Sequence, residues 1–169
     1  MAVNLFAWAS IGENGKATGG KPGDQTNKEV KVGNYYYFGQ TEVIRFNKVY
    51  YGRRAAKIAK WLAENNATGY DQSTRQTLFD LAERCNWKFG TLKEALKVKK
   101  VNTDCSAFAS TVINLAFKKR VIGCATTSTI TDACKRSGYF KILKVADAEK
   151  KWHKGDMPNK PGKHIIINV

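Results

Sequence analysis

The stretch Asp104-Cys-Ser-Ala-Phe-Ala-Ser-Thr-Val-Ile-Asn-Leu-Ala-Phe117 decides how this chain is read. Cys105, Phe108, Ala109, Val112 and Ala116 recur at helical spacing and so share one face. Asp104 stands where a side-chain oxygen can accept from the unpaired N–H groups of a first turn. Lys118-Lys119-Arg120 follows where cations suit the negative end of the helix dipole. The spacing therefore predicts a helix opening at Asp104, with Cys105 on its first turn. A thiol there faces free amide N–H groups and the positive dipole end, and both lower a thiol pKa. Read more plainly, the same cysteine is a small apolar side chain at the head of the stripe.

On either side of this helix the pattern alternates between helical and strand periods. Ala55, Ile58, Ala59 and Leu62 predict an amphipathic helix from Arg53 to about Asn65, its other face carrying Arg53, Arg54, Lys57, Lys60 and Glu64. Leu78, Leu81, Ala82 and Cys85 predict a second, from Asp71 to about Cys85. A short helix fits Leu92–Leu96, with Lys97-Val-Lys-Lys100 as a solvated connector, and another runs from Thr127 to Arg136 and stops at Gly138. Strands are expected at 139–145 and 163–169, and 29–38 with 41–46 read as a hairpin turning at Gly39-Gln40. Glycines at 12, 15, 19, 20 and 23 keep the preceding segment out of helix. Helices flanked by strands in this order give an α+β fold, helices packed on a small antiparallel sheet. The 169 residues form one domain, with 1–50 as an N-terminal elaboration.

Composition narrows the partners. Lys and Arg number 29 against 14 Asp and Glu, a net charge of +15. The excess is carried by residues 48–101 and 102–169, about +7 each, and not by a tail. Such a surface attracts polyanions: nucleic acid, an anionic cell-wall polymer or a phospholipid surface. No apolar run is long enough for a membrane span. Met1–Ser10 lacks the cationic start of a secretory signal, so synthesis in the cytoplasm is expected. The four cysteines, at 85, 105, 124 and 134, include no C-x-x-C pair, which argues against structural zinc, and with a cytoplasmic start the thiols are expected to be reduced, which argues against a disulfide framework. No metal and no cofactor is expected.

A nucleophilic thiol needs a base, and the histidines are His153 and His164. His153 lies in the charged segment Lys150-Lys-Trp-His-Lys154, a solvated setting. His164 leads Lys163-His-Ile-Ile-Ile-Asn168, whose apolar residues predict a buried strand that would hold the ring beside the core. Trp8, Trp61, Trp87 and Trp152 read as packing aromatics.

Thr103-Asp-Cys-Ser-Ala107, then Lys154-Gly-Asp-Met157 and Gly162-Lys-His-Ile-Ile-Ile167, resemble the NlpC/P60 branch of the papain-like cysteine hydrolases. Glu13-Asn-Gly15, Gly23-Asp-Gln-Thr26, Glu29-Val30, Val43-Ile-Arg45, Gly69-Tyr-Asp-Gln72 and Arg75 are similar to elements of bacteriophage endolysins and prophage peptidoglycan hydrolases of that group. The resemblance implies a papain-like fold and cleavage of amide bonds in bacterial peptidoglycan, by an endopeptidase or an N-acetylmuramoyl-L-alanine amidase. It implies Cys105 as nucleophile and His164 as base, with Asp104, Ser106, Tyr70 and Gln25 binding substrate. It also implies action on the wall after release from the host cytoplasm, with peptidoglycan and anionic wall polymers as partners.

Two departures stand out. Ala107 replaces the usual glycine after Asp-Cys-Ser, and the family's later polar residue that orients the histidine is missing, since Val169 follows His164 by only five positions. Asn168 would lie about 13 Å from His164 along a straight strand. That leaves Asp24, Gln25, Asp71 and Gln72, a backbone carbonyl or water to orient the ring. Two other readings remain: a basic nucleic-acid-binding module stacking bases on Tyr35-Tyr-Tyr-Phe38, which lacks any supporting motif, and an inactive wall-binding scaffold.

Overall fold

The structure, a computed structural model, describes residues 4–169. Of the opening segment Met1–Ser10, the first three residues lie outside those described.

The helix read from the central stretch is α4, Cys105–Phe117, and all thirteen of its residues are buried, not one stripe alone. A helix buried all round must satisfy its polar side chains internally. Ser110 Oγ donates to the Ser106 carbonyl at 2.9 Å and Thr111 Oγ1 to that of Ala107 at 2.8 Å. Asn114 clamps the following loop, accepting from the amides of Val121 and Ile122 and donating to the Ile122 carbonyl.

Around this spine pack α1 (Val49–Ala63), α2 (Thr77–Arg84), α3 (Phe89–Val98) and α5 (Ile130–Ser137), with a short α6 at Val145–Glu149. One antiparallel sheet has the order β2 (Val30–Asn34), β1 (Leu5–Ala9), β9 (Ile167–Asn168). A second has β6 (Phe140–Lys144), β3 (Glu42–Phe46), β7 (Met157–Lys160), β8 (His164–Ile165). The pair β4 (Thr68–Tyr70) and β5 (Val101–Thr103) is parallel and leads directly into α4. The fold is mixed α and β with small antiparallel sheets.

Several expectations need correction. Residues 29–38 and 41–46 do not form a hairpin: β2 pairs with β1, while β3 pairs with β6 and β7, so the connection crosses between sheets. The segment 163–169 is not one strand, because β8 and β9 belong to different sheets on either side of Ile166. The helix expected from Asp71 begins only at Thr77, since Asp71 gathers Gly19, Ser73 and Thr74 into turns instead. The basic run after Leu96 runs straight into β5. In the other direction α1 starts early, at Val49, because Tyr51 stacks on Phe117 with ring centroids 4.0 Å apart.

Arg45, on β3, makes a two-pronged ion pair with Asp156 at 2.7 and 2.6 Å and donates to the Lys151 carbonyl. Asp156 is 1% exposed and also accepts from the His153 amide, so the pair fixes the turn between α6 and β7. Removing one partner of a buried pair strands the other charge. Arg45→Met is therefore expected to lower unfolding free energy by about 3 kcal/mol in urea titrations, and Arg45→Met/Asp156→Leu to recover part of that loss.

Candidate functional site

Cys105 stands at the head of α4 because Asp104 caps it. The Asp104 carboxylate accepts from the Ala107 amide at 2.7 Å and from Ser106 Oγ at 3.0 Å. Its other oxygen meets Arg75 Nε at 2.5 Å, and Arg75 also donates to Ser106 Oγ and to the Ala125 carbonyl. Asp104 and Ser106 are thus placed next to the thiol with their hydrogen-bonding capacity turned inward. Arg75, given no role by the sequence beyond the resemblance, ties the helix start to the turn before α2 and to the loop after α4.

β8, which carries His164 and Ile165, packs against α4, and the Ile165 amide lies near enough to the Cys105 sulfur to favour its thiolate. The His164 ring lies under Phe38, centroids 5.1 Å apart and edge to face, and 6.4 Å from Tyr36. Burial of the Tyr36 hydroxyl, with the nearby Cys105 sulfur as a second cause, pushes its pKa up. Tyr36 therefore lies close to both groups. Among the described residues the imidazole makes no hydrogen bond to the sulfur or to any other protein group.

Tyr70, at the end of β4, is 5% exposed and accepts from Gln72 Nε2 at 3.1 Å. Its pKa is raised by burial first, and then by the charges of Cys105 and Asp104. Gln25 is folded onto its own loop, donating to the Pro22 and Gly23 carbonyls. The four side chains expected to orient His164 are engaged elsewhere. Asp24 gathers the amides of Thr26, Lys28, Glu29 and Val30, Asp71 builds the 71–74 turn, Gln25 holds its loop and Gln72 holds Tyr70. Packing against Phe38 and Tyr36 positions the ring instead. Neither contact is visible in the sequence, where residues 35–38 read as part of a hairpin.

The electrostatics also differ from expectation. Burial, and then the charge of Asp104, push the Cys105 thiol up to about 11, outweighing the amide donors of Ile165, Ser106 and Cys105 itself. Burial holds His164 down at about 4. At neutral pH the two groups rest uncharged. His153, beside Arg45 and Asp156, is likewise lowered by burial. All four cysteines are free, and among the described residues no cluster suited to a metal ion occurs.

A family model described as endolysin-like domain matches residues 6–169, and the chain belongs to that family. No curated protein and no solved structure matches it. Membership implies peptidoglycan as substrate and phage-type cell-wall lysis as role. Among the described residues no helix is long and apolar enough to cross a membrane.

Because the folded protein binds a proton at His164 less readily than the unfolded chain does, the burial contributes its full stability above pH 6.5. That contribution falls as pH drops from 6.5 towards 4. The difference is up to about 3 kcal/mol. Relative to His164→Gln, wild-type stability in denaturant titrations is expected to decline across this window. A constant offset between the two proteins would show the ring to be solvated.

Proposed function

We propose that the chain is a cysteine hydrolase of papain-like, NlpC/P60 type that cleaves amide bonds in peptidoglycan during phage-type lysis. The observation that carries this reading is the packing of β8, the strand that opens with His164, against α4, whose capped first residue is Cys105.

The chemistry follows from the resting state. With thiol and imidazole both neutral, the reaction starts by proton transfer, not from a preformed ion pair. Catalytic hydrogen bonds in the free enzyme are commonly loose and tighten on substrate binding. As a peptide seats over Tyr36 and Tyr70, His164 takes the proton of Cys105 and the sulfur attacks the scissile carbonyl carbon. The amide N–H groups at the head of α4 receive the developing oxyanion. The imidazolium then protonates the departing amine, and water, deprotonated by His164, releases the acyl group and restores the thiol. Asp104 and Ser106 flank the thiol with their side chains turned inward, and their duty is to hold the helix start.

The base-stacking alternative loses most of its platform, since of the four rings Tyr37 alone stands clear of such packing. Tyr35 packs on Phe6 and Trp152 at 5.2 and 5.1 Å, while Tyr36 and Phe38 pack on each other and on His164.

The test is turbidity loss of purified cell walls with mass spectrometry of the released fragments. Cys105→Ala is expected to abolish lysis with the circular dichroism spectrum unchanged, and His164→Gln to lower it at least about 100-fold. Fragments with a new alanine amine mark amidase activity, and a new amine on a diamino acid marks endopeptidase activity. Undiminished lysis by Cys105→Ala would remove the thiol from the mechanism.

A further inference from the structure

The excess positive charge has a particular address. Along the exposed side of α1 runs a groove of about 420 Å³ lined by Val49, Tyr50, Arg53, Arg54 and Lys57. It shares Val49 and Arg53 with a second, of about 280 Å³, to which Lys151 and Lys154 contribute. It shares Arg54 with a third, of about 460 Å³, which adds Lys88, Lys93 and Lys118. The three form one track with eight cations, and no acidic side chain lines any of them.

Lys154 Nζ donates to the main-chain oxygen of Val169. Among the described residues none of the eight cations pairs with an acidic side chain, although seven such pairs form elsewhere. Arg54 Nε is buried with no hydrogen-bond partner. Uncompensated like charges in neighbouring grooves repel one another and weaken the fold. Gly52 strengthens the case: a Cβ there would collide with the Lys154 carbonyl, so the missing side chain is what lets the 151–154 loop lie against α1 and close the second groove.

The track lies at the end of α4 remote from the thiol. Tyr51 of α1 stacks on Phe117, and Lys118 follows directly, whereas Cys105 stands about 18 Å away along the helix axis. The track is therefore separate from the surroundings of the thiol.

We infer that this track docks a polyphosphodiester chain attached to the cell wall, holding the enzyme on its insoluble substrate while the opposite end of α4 acts. The inference rests on the wall-hydrolase reading and names a partner for it. Concave grooves lined by point charges suit a flexible anionic chain, whereas a bilayer needs protruding apolar groups, and here only Val49 and Tyr50 are exposed. Nucleic acid would call for several stacking surfaces, and along the track only Tyr50 offers an exposed ring, itself edge-on to Tyr51. Phe89 is already packed against Trp61 beneath Lys93, and Trp152 against Phe6 and Tyr35.

The experiment uses the full chain carrying Cys105→Ala, so that binding is read without lysis. Co-sedimentation is measured with sacculi bearing a glycerol-phosphate polymer and with the same sacculi stripped of it by hydrofluoric acid, over a sodium chloride series. Binding is expected to fall at least tenfold on stripping. Arg53→Ala/Arg54→Ala/Lys57→Ala is expected to reduce the logarithmic salt slope by about 2, at ~0.7 for each phosphate-binding cation removed. Arg54 is half-buried, so Arg53→Glu/Lys57→Glu, at two exposed positions, repeats the test without risk to the core; Lys135→Ala/Arg136→Ala on α5 should bind as the parent does. Equal binding to stripped sacculi, or unchanged binding by both track variants, would overturn the inference. So would tighter binding to a thirty-nucleotide oligo-dT or to phosphatidylglycerol vesicles at the same salt. With Cys105 restored, turnover of soluble muropeptides by the track variants should equal that of the wild type, and its absence in wild type would indict the hydrolase reading alone.

Discussion

The carboxylate of Asp104 is the constraint on which the rest of the site depends. It caps the one helix that is buried on every side, accepts from Ser106 and pairs with Arg75. Each of these contacts fixes where the backbone turns from β5 into α4, and that turn decides where the sulfur of Cys105 lies. The cost is electrostatic, because a carboxylate beside a buried thiol disfavours the thiolate, and the amide donors around the sulfur offset this only in part. Geometry has been favoured over resting ionisation.

Phe38 and Tyr36 act on the other partner in the same sense. By covering the imidazole they hold it in place without a polar orienter and keep it neutral well below physiological pH. The site is thus a pair of uncharged groups, kept so by burial on one side and by burial plus a like charge on the other. In the proposed reaction charge separation is deferred to the chemical step, where a dry environment strengthens the attraction between thiolate and imidazolium.

Much of this is legible in the sequence, for identifiable reasons. The cap at Asp104 is readable because capping is a local event, as is the stop of α5 at Gly138, which adopts a left-handed φ of 75°. Strand pairing is not, because it depends on residues far apart. β2 and β3 are close in sequence yet join different sheets, and β1 at the apolar start finds partners at 30–34 and 167–168. The same limit hides the histidine's surroundings, since Tyr36 and Phe38 reach it only through the crossover between sheets. Arg75 is singled out by the resemblance alone, because a lone arginine in a polar turn looks solvated until its three partners, at 104, 106 and 125, are brought to it.

The antiparallel contact of β1 with β9 brings Phe6 against Asn168, so the earliest described strand waits for the last described one. On the ribosome, α4 and its thiol can form while the strand bearing the imidazole is still unmade. Contacts of such long sequence separation are slow to close. Nascent chains therefore hold the thiol of α4 before β8 and β9 have emerged, and the packing around Cys105 is completed only when those strands dock.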